Sequence, residues 1–278
     1  MAAYDGVARS GQALLESVAE ASPGPGELVF WWLGQHSFIV KIGAVRLLID
    51  PYLKVSERRT KPPLLTPAEC AEFDLVLGTH DHSDHIDPDA IPGIAAASQA
   101  IFITPRATRQ RMLSLGVPEA RWIGLNDGES VEVHGLEITA TRSCHEFFDQ
   151  TDEGLFPYLG YLISGPGIRL WHAGDTVWWD GLQAELRGLL PIDVALVPIN
   201  GRDAERYRRN CMGNLSFAEA ADLVAPLPVG LAVPTHFDLF VNNSEDPTRF
   251  IDYLAAKYPA VPTWLGPAGE PVTVRALR

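Results

Sequence analysis

Cysteine is scarce in this sequence and scattered along it. The three cysteines, Cys70, Cys144 and Cys211, form no CxxC pair, which excludes a disulfide framework or a thiolate zinc ribbon as the organising device. Long apolar runs are missing as well. No stretch approaches the roughly 20 residues needed to cross a bilayer. Residues 1–25 show no basic stretch followed by an apolar run, so no export signal is expected, and the expected setting is reducing and cytoplasmic. Positive charge is in deficit. Lys+Arg number 22 against 35 Asp+Glu, a formal net charge of −13, which argues against a broad electrostatic footprint for nucleic acid or an anionic membrane. Low complexity, fixed-period repeats and Gly/Ser/Pro-rich linkers are also absent.

What remains is a globular composition, 46% hydrophobic and 21% charged, long enough to bury a sizeable core. Residues 7–20 (VARSGQALLESVAE) read as a short amphipathic helix, and ASPGPG breaks it. From residue 28 the text changes to strands: LVFWWL, SFIVKI and VRLLID are rich in β-branched and aromatic residues and are separated by short turns. Later segments alternate. DLVLGT, AIFIT, RWIGL, SVEVHG, LEITATR, YLGYLIS, IRLWHAG, DVALVPI, GLAVPT and PVTVRAL read as strands. Helices are expected over 87–99, with Asp87 as N-cap, and over 105–116, 176–190, 216–226 and 247–258. This many strands with interspersed helices points to two sheets packed on each other and covered by helices. Residues 1–27 read as an N-terminal helical extension and 28–278 as one domain.

The chemistry concentrates where strands end. Three of the eight histidines fall in the run THDHSDH, residues 79–85. In extended backbone, residues two apart share a face, so His80 and His82 can point at one metal, while Asp84 and His85 can reach a second position past the turn. Imidazole and carboxylate suit Zn and also Mn or Fe. His145, Asp175 and His236 each follow a later predicted strand. A lone histidine at such a place is ordinarily structural; it is the recurrence at successive strand ends that points to a site.

The order HDHSDH, His145, HAGDT with Asp175, then PTHFD with His236 resembles the metallo-β-lactamase superfamily. The segments WWLGQHSFIVKIG, LLIDPYL, GTHDHSDHID and WHAGDT resemble, more narrowly, its L-ascorbate-6-phosphate lactonase-like branch, over about residues 28–240. The resemblance implies an α/β (α+β) fold: a four-layer αββα sandwich of two mixed β-sheets flanked by helices. It implies two divalent metal ions, Zn or Mn. His80, His82 and His145 would hold one, Asp84, His85 and His236 the other, and Asp175 would bridge them. A hydroxide held between the metals would then act as nucleophile, with Asp84 as catalytic proton acceptor or shuttle.

Around these residues, Asp50 is expected to orient a ligand histidine, or simply to cap a turn, and His36 and His172 fall at positions that resemble the family near the site. Asn200 and Arg202 follow another strand end. Arg202, Arg206, Arg208 and Arg209 form a run whose guanidinium groups would suit a substrate anion; a solvated or oligomer-facing surface is the other reading. Trp178, Trp179, Phe147, Phe148 and Tyr158 could wall a pocket or fill core. His134, in a His-Gly turn, is expected to face solvent. The expected activity is hydrolysis of a small lactone, acidic or phosphorylated, with a small phosphodiester or cyclic nucleotide as the alternative substrate and a non-catalytic metal-binding module as a third reading. The expected partner is a small molecule, not nucleic acid or membrane, with self-association left open.

Overall fold

The computed structural model describes residues 3–277. Its strands are β1 (Glu27–Gly34), β2 (Ser37–Ile42), β3 (Val45–Ile49), β4 (Leu75–Leu77), β5 (Ile101–Pro105), β6 (Trp122–Leu125), β7 (Ser130–Val133), β8 (Leu136–Arg142), β9 (Leu159–Gly165), β10 (Ile168–His172), β11 (Ile192–Pro198), β12 (Val229–Thr235) and β13 (Val272–Arg275). The α-helices are α1 (Gly11–Glu20), α2 (Ile91–Ala97), α3 (Arg109–Ser114), α4 (Leu182–Gly188), α5 (Ala204–Arg208), α6 (Phe217–Val224) and α7 (Thr248–Lys257).

The strands form two mixed sheets. One has the order β13-β1-β2-β3-β4-β5-β6 and the other β12-β11-β10-β9-β8-β7. In the first, β13, β1, β2 and β3 pair antiparallel and β3 to β6 parallel. In the second, β12, β11 and β10 pair parallel and β10 to β7 antiparallel. Strands β2 and β11 are buried along their whole length, so apart from Ser37, Lys41 and Asp193 their sequences read as apolar runs rather than as an alternating pattern. A single cluster of buried side chains joins both sheets to the helices, with Leu14 and Val18 of α1, Ile91 and Ile94 of α2, Leu223 of α6 and Phe250 of α7 among its members.

The expected sandwich of two mixed sheets flanked by helices is therefore the observed architecture. Strand existence was legible throughout, whereas helix extents were not. Helix α2 begins at Ile91 with Ala90 as N-cap and Pro92 in its first turn. The Asp87 carboxylate is drawn away instead, accepting from the backbone N–H groups of Leu53, Lys54 and Asp89. The helix expected over 176–190 covers only 182–188, because the backbone of the preceding loop is committed elsewhere: Val177 N–H donates to Cys144 C=O at 2.7 Å, and Leu215 N–H to Thr176 C=O at 2.9 Å. Helix α5 and the 3-10 turn at Ala3–Asp5 went unread. Helix α1 packs on the first sheet: Trp31 Nε1 donates to Ser17 Oγ at 3.1 Å and Lys41 Nζ to Val18 C=O at 2.7 Å.

Candidate metal centre

In the first sheet β1 and β3 to β6 run one way, and in the second β8, β10, β11 and β12 run one way. Their C-terminal ends meet along one edge of the sandwich, where open sheets carry their sites. Asp50 follows β3; His80, His82, Asp84 and His85 follow β4; His145 follows β8; Asp175 follows β10; His236 follows β12. Two sheets thus bring residues distant in sequence to one place. Three overlapping groups have donor atoms within 4.8 Å of one another: His80 with His82 and His145; Asp84 with His85 and His236; and His80 with His85 and Asp175.

Hydrogen bonds at the back of the rings decide which nitrogen each ring presents. Asp50 accepts from Thr79 N–H and from Thr79 Oγ1, both at 2.8 Å. Its Oδ2 also accepts from His85 Nδ1 at 2.6 Å. Thr79 Oγ1, with its own proton directed to Asp50, can accept from His80 Nδ1 at 3.1 Å. Both rings then carry the proton on Nδ1 and turn an Nε2 lone pair to the front. The Asp50 backbone stands at φ +46 and the His236 backbone at φ +58. Both are non-glycine residues in the left-handed region, a conformation that persists where the surroundings impose it.

At the front, ring nitrogens and carboxylate oxygens crowd together. His80 Nε2 lies 2.9 Å from His82 Nδ1, and His145 Nε2 lies 3.3 Å from the same atom. Tetrahedral coordination with metal–nitrogen bonds of about 2.0–2.1 Å would set ligand nitrogens about 3.3 Å apart. Asp175 Oδ2 is 3.1 Å from His236 Nε2, 3.5 Å from His85 Nε2 and 3.8 Å from His145 Nε2, and so reaches both groups. Asp84 Oδ2 is 3.6 Å from His236 Nε2 and 3.8 Å from His85 Nε2. His85 Nε2 and Asp175 Oδ1 are buried without a hydrogen-bond partner. Orphaned buried donor atoms in a set this rich in imidazole and carboxylate fit divalent cations.

The protonation balance of the metal-free protein follows from the same crowding. Burial disfavours a charged His85, yet the carboxylates of Asp175, Asp50 and Asp84 outweigh it and hold its pKa well above the ordinary value. His236 is likewise disfavoured by burial and raised on balance by Asp175 and Asp84. Burial would raise Asp175, but His236 and His85 hold it well below the usual carboxylate range. His82 faces the cleft; desolvation by the surrounding protein, then the nearby His145 and His85, bring its pKa down to about 4. Burial and its histidine neighbours likewise keep His80 neutral.

A cleft of about 1060 Å³ opens over the centre. His82, Asp84, His145, Asp175 and His236 reach it from the floor, and Tyr158 lines it with its ring packed against those of His80, His82 and His145. Lys54, Arg58 and Arg209 stand on its walls beside the carboxylates of Glu146 and Asp149; Lys54 pairs with Asp89 at 2.6 Å and Arg209 with Glu205 at 2.7 Å. The expectation for the arginine run is corrected here. Arg202 is outside the cleft lining, held by two hydrogen bonds to Glu219 at 2.8 and 2.7 Å. Arg206 is spent on the backbone carbonyls of Asn200, Gly201 and Ser244, and Arg208 pairs with Glu205. Asn200 is buried and also outside the lining; its amide donates to Asn243, which does line it. Phe147, Phe148, Trp178 and Trp179 are not lining residues either. Phe148 and Trp179 pack edge-on at 5.0 Å beside Arg142. His134 is exposed in its turn, as expected.

Two features went unread. Gln35, in the β1–β2 turn at φ +52, donates from Nε2 to Asp84 Oδ2 at 3.1 Å and receives the His236 N–H on its carbonyl at 2.9 Å. Arg58 lines the cleft and makes no ion pair among the described residues. His36 and His172 are buried behind the centre and do not line the cleft.

Comparison with known proteins agrees with this geometry. A family model described as a beta-lactamase superfamily domain matches residues 45–237. A UPF0173 metal-dependent hydrolase of Thermococcus kodakarensis is 34% identical over 221 residues, covering 79% of this chain and 88% of the relative. The "Probable L-ascorbate-6-phosphate lactonase UlaG" of Escherichia coli O127:H6 is 27% identical, covering 85% of this chain and 77% of the relative. Among solved structures, Igni18, a metallo hydrolase of Ignicoccus hospitalis, superposes with a TM-score of 0.68 at 26% identity, covering 89% of this chain and 98% of that one. With its two mixed sheets and its His/Asp clusters at their shared edge, the chain belongs to the metallo-β-lactamase superfamily and is a metal-dependent hydrolase of that fold.

Proposed function

We propose that the protein is a two-metal lactonase for a small, polar lactone carrying an acidic or phosphoryl group. His80, His82 and His145 would hold one ion and Asp84, His85 and His236 the other, with Asp175 between them; zinc and manganese both suit this donor set. Bound there, divalent ions supply a water acidified toward neutral pH and a Lewis-acidic contact for a carbonyl oxygen. The residues of the chain do the rest. Asp84 stands at the cleft floor with its side chain 18% exposed, and Gln35 steadies it. It is placed to take the proton of the attacking water and return it to the departing ring oxygen. Tyr158 and the histidine rings shape the floor. Arg58, a wall cation that makes no ion pair among the described residues, would meet an anionic substituent in a molecule that is otherwise acidic.

The observation that carries this reading is the open, polar cleft directly above Asp84 and the His/Asp clusters; the likeness to the lactonase supports the choice of bond. The test is hydrolysis by Zn- and Mn-loaded protein of a panel of sugar and acyl lactones, with and without phosphate, followed by acid release. Opening of polar anionic lactones is expected. Failure on every lactone, with turnover of a chromogenic phosphodiester, would replace the lactonase by a phosphodiesterase on the same residues. The expected partner is the small substrate rather than nucleic acid or membrane.

A further inference from the structure

Behind the candidate metal centre lies a pair of histidines that no step above uses. His36 sits in the turn between β1 and β2 of the first sheet, and His172 ends β10 of the second. Both are completely buried, with ring centroids 3.9 Å apart and planes inclined by 36°. Three hydrogen bonds close a circuit through them. His172 Nε2 donates to His36 C=O at 3.0 Å. Gly174 N–H donates to His172 Nδ1 at 3.2 Å. His36 Nε2 donates to Gly174 C=O at 3.0 Å. Carbonyls only accept and an amide N–H only donates, so each ring must carry a proton on Nε2, and His172 must leave Nδ1 bare.

The carbonyl that His36 holds belongs to the peptide leading into Asp175. That peptide has no slack: Gly174 stands at φ +63, and a Cβ there would lie 2.4 Å from Leu159 C=O. The neighbouring Gln35 touches Asp84 and the His236 backbone. One two-residue turn of the first sheet therefore reaches Asp84 and the backbones of residues 174 and 236, the latter two in loops of the second sheet.

We propose that His36 is a positioning residue: its hydrogen bond to the Gly174 carbonyl, backed by the adjoining His172 ring, fixes the Asp175 carboxylate between the two His clusters. The proposal rests on reading those clusters as the metal centre. It assigns His36 a donor function that a mere space-filling ring would lack.

The experiment measures Zn²⁺ affinity by chelator competition, and the visible spectrum of the Co²⁺-substituted protein, for wild type, His36→Gln, His36→Asn and His36→Phe. A glutamine amide can reach the Gly174 carbonyl in place of Nε2; an asparagine amide is too short, and phenylalanine fills the space without a donor. His36→Asn and His36→Phe are expected to lose roughly 10–100-fold in affinity, the usual cost of losing a partner that orients a ligand, with a shifted cobalt spectrum. His36→Gln should stay near wild type in both readouts. If His36→Phe fails to fold, the contrast between Asn and Gln decides. Wild-type affinity and an unshifted spectrum in His36→Asn would overturn the proposal, as would an equal loss in Asn and Gln. A wild-type protein that binds neither ion would instead overturn the reading of the centre itself.

Discussion

At the scale of single residues, Asp50 shows how much of the centre is set from behind. Its carboxylate takes three donors, two from Thr79 and one from His85. Asp50→Asn should keep the backbone, since asparagine tolerates the left-handed region, while removing the charge that fixes the His85 tautomer. Zinc affinity is expected to fall roughly 10–100-fold with the circular dichroism spectrum unchanged, as read by chelator competition. A second expectation concerns pH. His85 and His236 have raised pKa values in the metal-free protein, so metal must displace protons from them, whereas His80 and His82, with lowered values, bind without that cost. Apparent affinity should therefore rise as pH increases above the ordinary imidazole range. Calorimetry in buffers of different ionisation enthalpy should show net proton release; release of no protons at neutral pH would contradict this assignment. The ligand candidates were legible because imidazole and carboxylate are scarce residue types recurring at strand ends. Gln35 was not. A glutamine in a turn carries no chemical signature, and its partners, Asp84 and His236, lie 49 and 201 residues away. Arg202 was misread for the complementary reason: closeness within an arginine run says nothing about the carboxylate that will claim each guanidinium, here Glu219.

At the scale of elements, strands announced themselves and helices did so only partly. The apolar runs of β2 and β11 are dense in Val, Ile and Leu and end in turns, a pattern with few alternatives. The start of α2 depends instead on whether Asp87 caps the helix or holds residues 53–54, a competition that local sequence does not settle. The same long-range tie places Lys54 beside the cleft. Helix α1 offers a test of element docking. The last carbonyls of a helix have no partner within it, and those of Val18 and Ala19 are met by the ammonium of Lys41, itself buried within β2. Burial lowers the Lys41 pKa without removing these contacts. Lys41→Met should cost about 1–3 kcal/mol, the range for stranding buried polar groups, measured by urea unfolding; an unchanged midpoint would mean that the helix end is satisfied by water.

At the scale of the molecule, the two sheets share one core but divide the candidate ligands. The loop after β4 in the first sheet gives His80, His82, Asp84 and His85; the second gives His145, Asp175 and His236. A bound ion can therefore stabilise the association of the sheets as well as serve chemistry. Stripping metal with a chelator should lower Tm, and restoring Zn or Mn to 100 times its Kd should add about 2.7 kcal/mol of stability per site. A Tm indifferent to metal would show that the core alone sets stability. No helix among the described residues is long and apolar enough to cross a membrane.

That division of ligands between the sheets has a consequence for the protein's lifetime. A chain without metal leaves His85 and His236 facing several carboxylates at the sandwich edge, where the loops following β4, β8, β10 and β12 are tied to one another, to Asp50 and to the β1–β2 turn by a few hydrogen bonds. Those loops are where a protease would find its first opening. Scarcity of metal would then shorten the survival of the molecule as well as silence it, making abundance itself a gauge of metal supply. Limited proteolysis of stripped and reloaded protein should cut first in residues 146–157, which follow β8, and slow markedly on reloading.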